Sequence, residues 1–169
     1  FLSDYFNPNP GPIITVTDKK IGAHNGLMFY TLGQRQGIGI GGRSDSNEKP
    51  WYVVKKDLRK NALIVAQGDH ETMYSNYIEL GNPSWIGDPP KGINSMNGIK
   101  CCAKIRYRQK DQKCNLIEIE KDRFIAQFEH LQRSVTPGQS AVFYKGERCL
   151  GGAIIDSANR KNINISDVA

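Results

Sequence analysis

The chain has 169 residues, with 23 Lys plus Arg against 17 Asp plus Glu, a net charge of +6 and a pI near 9.2. That length suits one ordinary domain or two small ones. No apolar run of roughly 18 residues and no leader-like segment is present, which argues against a membrane span or a signal peptide and for a cytoplasmic location. The positive charge fits a polyanionic partner without requiring one, and residues 76–169, with 14 basic and 10 acidic side chains, carry +4 of it. The chain begins at Phe1 rather than Met and reads as a piece of a longer protein.

In chain order, residues 1–12 with Pro8, Pro10, Gly11 and Pro12 predict an extended lead-in, unable to form a helix or a central strand. Ile13 to Val16 predicts a short strand closed by a turn at Asp18 to Lys20. Gly26 to Leu32 predicts a short helix. Trp51 to Lys55 and Ala62 to Ala66 predict two strands joined across Asp57 to Asn61. The composition turns polar from Gly68 to Ser75, and a boundary is expected there. Six β-like runs follow: Tyr77 to Leu80, Ile99 to Tyr107, Lys113 to Glu120, Phe124 to Phe128, Ser140 to Tyr144 and Cys149 to Ile155. Tight turns at Glu120 to Arg123 and Tyr144 to Glu147 separate alternating segments. The expected fold is mainly β: a small mixed α/β central domain (1–72), a six-stranded antiparallel β-barrel (73–157) and a polar tail (158–169).

Five glycines fall within ten residues: Gly33, Gly37, Gly39, Gly41 and Gly42. Gly37-x-Gly39-x-x-Gly42 matches a dinucleotide fingerprint, but a polar loop from Arg43 to Pro50 and then a β-like run follow it. No helix N-terminus is available for a pyrophosphate, and that reading is rejected. Gly41-Gly42-Arg43-Ser44-Asp45-Ser46 departs from a pyrophosphate loop by lacking its leading Ser and by one residue too many before Asp45. Gln34 and Arg35 either clamp an incoming nucleotide or partner backbone groups of the glycine loop.

Cys101, Cys102, Cys114 and Cys149 contain no CxxC pair, and His24, His70 and His130 are scattered. No metal site is expected, and the thiols read as reduced and structural. Residues 100–113 hold six basic side chains and one acid. Strand alternation would line up Lys104, Arg106 and Arg108 on one face, with Ala103, Ile105 and Tyr107 on the other. Two readings fit: an RNA-facing stripe, since Arg forks onto phosphate and Tyr stacks on bases, or a solvated outer strand face with Tyr107 buried. Thr136-Pro137-Gly138-Gln139 is a turn that sets Gln139 at the edge of a strand. No nucleophile–base pair or carboxylate dyad marks a self-contained active site.

Several strings taken together resemble the bacterial tRNA-specific 2-thiouridylases. They are Gly22-x-His24-x-Gly26 through Tyr30-Thr31-Leu32-Gly33-Gln34-Arg35-x-Gly37 to Gly42, Pro50 to Val54, Arg106-Tyr107-Arg108-Gln109, Thr136 to Tyr144 and Cys149 to Gly152. The resemblance runs in order to about Asp156. It implies a parent enzyme, sometimes labelled a methyltransferase, that uses ATP with Mg to adenylate the C2 oxygen of the wobble uridine in Lys, Glu and Gln tRNAs. A cysteine persulfide, charged by a sulfur-donor protein, then makes 2-thiouridine. By the same resemblance the ATP domain and both reactive cysteines lie before Phe1, so this stretch alone is expected to hold no cofactor and to be inactive. The resemblance further implies that positions matching Arg106, Tyr107 and Gln139 contact tRNA, and the basic stripe adds Lys104 and Arg108 as expected contacts; strict alternation would turn Tyr107 inward, so a bulge or strand end near Arg106 is expected. The resemblance places the central domain beside the active site, and from that the glycine loop, with Gln34 and Arg35, is expected to help position the flipped uridine. The rival expectation is a free-standing β-barrel module of translation-factor type that binds RNA or protein.

Overall fold

The computed structural model describes residues 8–41 and 49–160. Expectations placed on residues 1–7, 42–46 and 161–169 lie outside the described residues. The chain divides into two compact units, Phe1–Met73 and Tyr74–Ala169.

The first unit is built on a four-stranded sheet: β1 (Gly11–Thr15), β2 (Lys20–His24), β3 (Trp51–Asp57) and β4 (Ala62–Gln67), in the order β2-β1-β4-β3. β1 runs antiparallel to β2 and parallel to β4. Pro12 thus sits in an interior strand, against expectation. It is tolerated because pairing with β4 starts only at Ile13, so Pro12 has a single strand neighbour, opposite Ala23. β2 was not anticipated. Its polar start hides it, and the turn before it closes earlier than expected, with Asp18 at φ 60° and Lys20 already in the strand. The expected helix is a three-residue 3-10 turn, Leu27–Phe29, entered from Gly26 at φ 151° and left through an extended Tyr30. Only Leu27 of that turn is buried, so nothing favours a longer helix. The helical part of the expected mixed domain therefore reduces to this turn and a second one at Glu71–Met73.

Ile13, Ile21, Leu27, Tyr30, Ile38, Ile40, Val53, Leu63 and Val65 form the core of this unit. Buried His24 belongs to its framework. Its Nδ1 accepts from the Gly26 N–H at 3.0 Å, so Nε2 carries the proton toward the Asn61 carbonyl, also at 3.0 Å.

The second unit is a closed barrel of β5 (Tyr74–Trp85), β6 (Ile99–Lys104), β7 (Gln112–Glu120), β8 (Arg123–Arg133), β9 (Ser140–Lys145) and β10 (Arg148–Asn159). The order is β10-β5-β8-β7-β6-β9, every pair is antiparallel, and β10 closes the circle by pairing with both β5 and β9. Five of the six expected runs lie inside these strands, and the sixth, Ile99 to Tyr107, overruns β6, which ends at Lys104. β10 continues through Ala158 and Asn159, which pair with Ile78 and Tyr77, so the first two residues of the expected tail are strand. Asp122 at φ 61° and Gly146 at φ 60° make the two tight turns. Inside, Phe124, Phe128 and Phe143 interlock with Ala103, Ala126, Ala141 and Ala153, and Trp85 packs edge-on against Phe124 at 5.5 Å between ring centres. Alternating large and small residues let so narrow a barrel fill without voids.

β10 can close the barrel only if it lies tight against β5 at Gly151. This residue has φ 134°, and a Cβ there would run into the Ser84 carbonyl oxygen and stand 2.7 Å from Trp85 Cα. Gly151→Ala is expected to cost at least about 2 kcal/mol of barrel stability. A urea titration followed by Trp fluorescence reads it, and an unchanged midpoint would refute it.

Candidate nucleic-acid interface

β6 stops at Lys104. Its ladder with β7 ends at Ala103↔Gln112 and its ladder with β9 at Lys104↔Val142. β7 begins at Gln112, so on that side nothing accompanies the chain past Ala103; on the other side Ala141 and Ser140 of β9 pair with β10 but not with β6, and the chain beyond Lys104 folds into a turn. Ile105 still points into the core, at 4 % exposure, but Tyr107 is 90 % exposed and Arg108 takes φ 63°. The expected alternation through Arg108 therefore fails, and so does the reading that buries Tyr107. Strand periodicity applies only where a strand has partners.

This turn borders an open groove of about 660 Å³ lined by Lys104, Ile105, Arg106, Tyr107, Arg108, Gln139, Ser140, Val142 and Tyr144. All five residues marked as candidate RNA contacts from the sequence, Lys104, Arg106, Tyr107, Arg108 and Gln139, converge here. Gln139 is delivered by backbone geometry. The Gly138 N–H donates to Ile155 O and the Ile155 N–H donates to Gln139 O, each at 2.8 Å, which fixes the turn and leaves the Gln139 side chain exposed.

The basic groups play different parts. Arg106 Nη2 donates to the carbonyls of Arg133 (2.6 Å) and Ser134 (2.8 Å), so its guanidinium fastens the turn to the end of β8. Lys104 Nζ lies 3.2 Å from Asp111 Oδ1 and 5.0 Å from the Tyr144 ring centre. The Arg108 guanidinium stands 5.3 Å from the Tyr107 ring. The exposed Lys104–Asp111 pair is worth at most about 1 kcal/mol and acts chiefly to hold the ammonium over the tyrosine. The groove thus offers two aromatic faces, each with a cation, beside a free amide. Such a surface can stack bases and attract phosphates. Tyr144 was not singled out from the sequence. The alternation of β9 could have found it, because Ala141 and Phe143 are buried and turn Val142 and Tyr144 outward.

The cysteines stay outside this groove. Cys101 and Cys114 are register partners on β6 and β7, buried, with Sγ atoms 3.6 Å apart. The hydrogen bond to Cys101 and then burial hold the Cys114 thiol well above its ordinary range, so it remains a thiol. Among the described residues no group of His, Cys, Asp or Glu is placed to hold a metal ion.

Gln34 and Arg35 belong to the first unit. The Gln34 Oε1 accepts from the Thr31 N–H and its Nε2 donates to the Gln36 carbonyl, both at 2.9 Å. Backbone bonds from Gly33 N–H to Val53 O (2.7 Å) and from Val53 N–H to Gln34 O (3.0 Å) fasten the segment to β3. Of the two readings of Gln34, the geometry supports the partner of loop backbone. Arg35 is exposed. Past it, Ile38 and Ile40 enter the core, and Gly37 at φ 73° before Ile38 and Gly39 at φ 75° between the two supply the left-handed conformations.

Residues 1–67 match the family model described as "tRNA methyl transferase PRC-barrel domain", and residues 75–155 the one described as "Aminomethyltransferase beta-barrel domain". Among curated relatives, the chain is 47% identical over 162 residues to the tRNA-specific 2-thiouridylase MnmA of Psychromonas ingrahamii, covering 95% of this chain and 43% of that protein. It is 50% identical over 161 residues to the protein of the same name from Psychrobacter sp., covering 93% and 40%. A third, from Coxiella burnetii, is 48% identical over 157 residues, covering 92% and 41%. The chain belongs to the tRNA-specific 2-thiouridylase family. It spans about two fifths of the length of the family members it matches. The two family models meet the chain on either side of the polar stretch around Asp69, and the groove lies wholly within the second match.

Removing the Gln34 amide should leave the unit folded while freeing the Thr31 N–H. Gln34→Ala is expected to raise the hydrogen-exchange rate of that amide and to cost about 1–2 kcal/mol of local stability. Unchanged exchange at Thr31 would show that the side chain does not hold the loop.

Proposed function

We propose that this chain is the central and C-terminal part of a tRNA 2-thiouridylase, and that the barrel groove is where it grips tRNA. The observation that carries the reading is the convergence of Lys104, Arg106, Tyr107, Arg108 and Gln139 on one groove, with Tyr107 almost wholly in solvent. In this reading Tyr107 and Tyr144 stack on bases, Lys104 and Arg108 neutralise phosphates, Arg106 holds the turn, and Gln139 hydrogen-bonds an exposed edge. The partners are the Lys, Glu and Gln tRNAs. ATP with Mg, the persulfide cysteines and the encounter with a sulfur-donor protein belong to the part of the enzyme outside this stretch. This stretch has no catalysis or cofactor of its own and works in the cytoplasm.

The chemistry proposed is sulfur transfer rather than methyl transfer. The relatives named for an activity are thiouridylases, and the methyltransferase wording belongs to the domain descriptions. A free-standing barrel module is disfavoured because the family likeness extends through the glycine loop into the first unit.

Binding to a purified Lys, Glu or Gln tRNA at two salt concentrations tests the groove. Arg108→Ala is expected to weaken binding and reduce the salt slope by about one. Tyr107→Ala should cost roughly tenfold or more in affinity with the slope unchanged, because a lost stack releases no counterion. A folded chain whose binding is indifferent to both substitutions would return the groove to a solvated face.

The glycine loop is proposed to lie near the reacting uridine, with Arg35 as the residue turned toward it. In the full-length enzyme, Arg35→Ala should abolish or sharply reduce 2-thiouridine formation, read by mass spectrometry of digested tRNA, with folding intact. Unchanged product would remove Arg35 from the site.

A further inference from the structure

The backbone ladder between β7 and β8 ends at Cys114↔Phe128, yet β8 continues to Arg133. Its pairing with β5 also jumps, from Tyr77↔Gln127 to Ser75↔Gln132. Beyond this break side-chain amides link β8 to its neighbours. Gln132 is 3 % exposed, and its Nε2 donates to Gln112 Oε1 at 3.1 Å and to the His130 carbonyl at 2.9 Å. Its Oε1 accepts from Gln109 Nε2 at 2.9 Å, and Gln109 Oε1 in turn accepts from the Ile105 N–H at 2.9 Å.

The sense of this chain is forced at both ends. The His130 carbonyl can only accept, so Gln132 must point its NH₂ there and its oxygen at Gln109. The Ile105 N–H can only donate, so Gln109 must point its oxygen there and its NH₂ at Gln132. No amide can flip without leaving two groups unpaired in a half-buried place. The chain enters the turn at Ile105 and leaves from Gln109, whose own N–H donates to the Arg106 carbonyl at 3.2 Å. The three residues enclosed are Arg106, Tyr107 and Arg108.

We infer that Gln132 is a positioning residue for tRNA binding: buried and out of reach of RNA, it acts through Gln109 to hold the turn that presents Tyr107 and Arg108. The inference rests on the reading of the groove as the tRNA grip. Arg106 ties the base of the turn to β8, but Tyr107, 90 % exposed, and the left-handed Arg108 pack on little, so their placement depends on the amide bonds at Ile105 and Gln109. Holding the turn before the RNA arrives removes an ordering cost that binding would otherwise bear.

Gln132→Met keeps the length and loses every hydrogen bond. It is expected to weaken tRNA binding about tenfold, to speed hydrogen exchange at the Ile105 amide in the unbound chain, and to leave the circular dichroism of the barrel in place. Coupling separates positioning from general stability. Tyr107→Ala should cost much less affinity in the Gln132→Met background than in wild type, since the stack it removes is already disordered. Additive losses, or wild-type affinity for Gln132→Met, would overturn the inference. Should Gln132→Met unfold the barrel, Gln109→Met breaks the same chain from its half-buried end and is read the same way. A folded wild-type chain that binds no tRNA overturns the groove reading and this inference together. Binding that Tyr107→Ala weakens but neither Met variant changes overturns this inference alone.

Discussion

The barrel depends on one strand meeting two neighbours at backbone distance. β10 bends between β5 and β9, and the bend falls on consecutive glycines that serve different sides. A Cβ at Gly151 would enter the backbone of Ser84 and Trp85 on β5, whereas one at Gly152 would stand 2.7 Å from the Ala141 carbonyl on β9. No other residue type can occupy either place without moving a strand. Closure removes the exposed edges that an open six-stranded sheet would present, so the unit needs no covering helix. It also limits the strands between, because a strand keeps its ladder only where a neighbour pairs with it.

That limit makes the groove. β6 loses β7 at Ala103 and β9 at Lys104, and the chain is released on the barrel rim with its next aromatic residue in water. The groove is less basic than the composition of residues 100–113 suggests. The Arg106 guanidinium is occupied by two backbone carbonyls, and Lys104 is shared with Asp111. Arg108 carries the least encumbered charge, and of the two tyrosines Tyr107 stands almost wholly in solvent while Tyr144 is half-buried. A site of that kind attracts phosphate moderately and relies on stacking.

The barrel was legible because its core residues recur at every second position, Cys114 and Leu116 on β7, Phe124, Ala126 and Phe128 on β8 and Ala141 and Phe143 on β9, even where Ile125 between two of them is buried as well. Turns carrying Asp18, Asn61, Asp122 or Gly146 were legible or nearly so, since these residue types accept positive φ. The turn after Lys104 showed only as a conflict, since tRNA contact by Tyr107 needs a strand end near Arg106 that alternation alone does not give. Its left-handed residue is Arg108, which no turn preference marks, and Ile105 and Tyr107 mimic a continuing strand. β5 was underestimated for the opposite reason. Gly81, Asn82 and Pro83 look like strand breakers, but pairing with β8 ends at Gly81 and the β10 register skips from Gly81 to Ser84, so Asn82 and Pro83 fall in an irregularity where neither ladder needs the missing N–H. The five candidate contacts were found as residue types in strings. What each does, above all the fastening role of Arg106, required the partners that only the folded chain supplies.

The glycine loop of the first unit follows a related logic by different means. Its shape is held from within: Ile38 and Ile40 are set in the core, Gly37 and Gly39 turn the chain before and between them, and the Gln34 amide closes the entry by bonding the backbone on both sides of itself. A loop that merely connected β2 to β3 would have no use for buried anchors and an internal amide clamp, since flexible connections tolerate length and sequence freely. Arg35 is the long side chain that this clamp leaves facing solvent immediately beside it. In both units, then, a glutamine amide removes freedom from a segment while the neighbouring arginine or tyrosine stays exposed. That division of labour is what a surface built to present a few side chains in a set geometry requires.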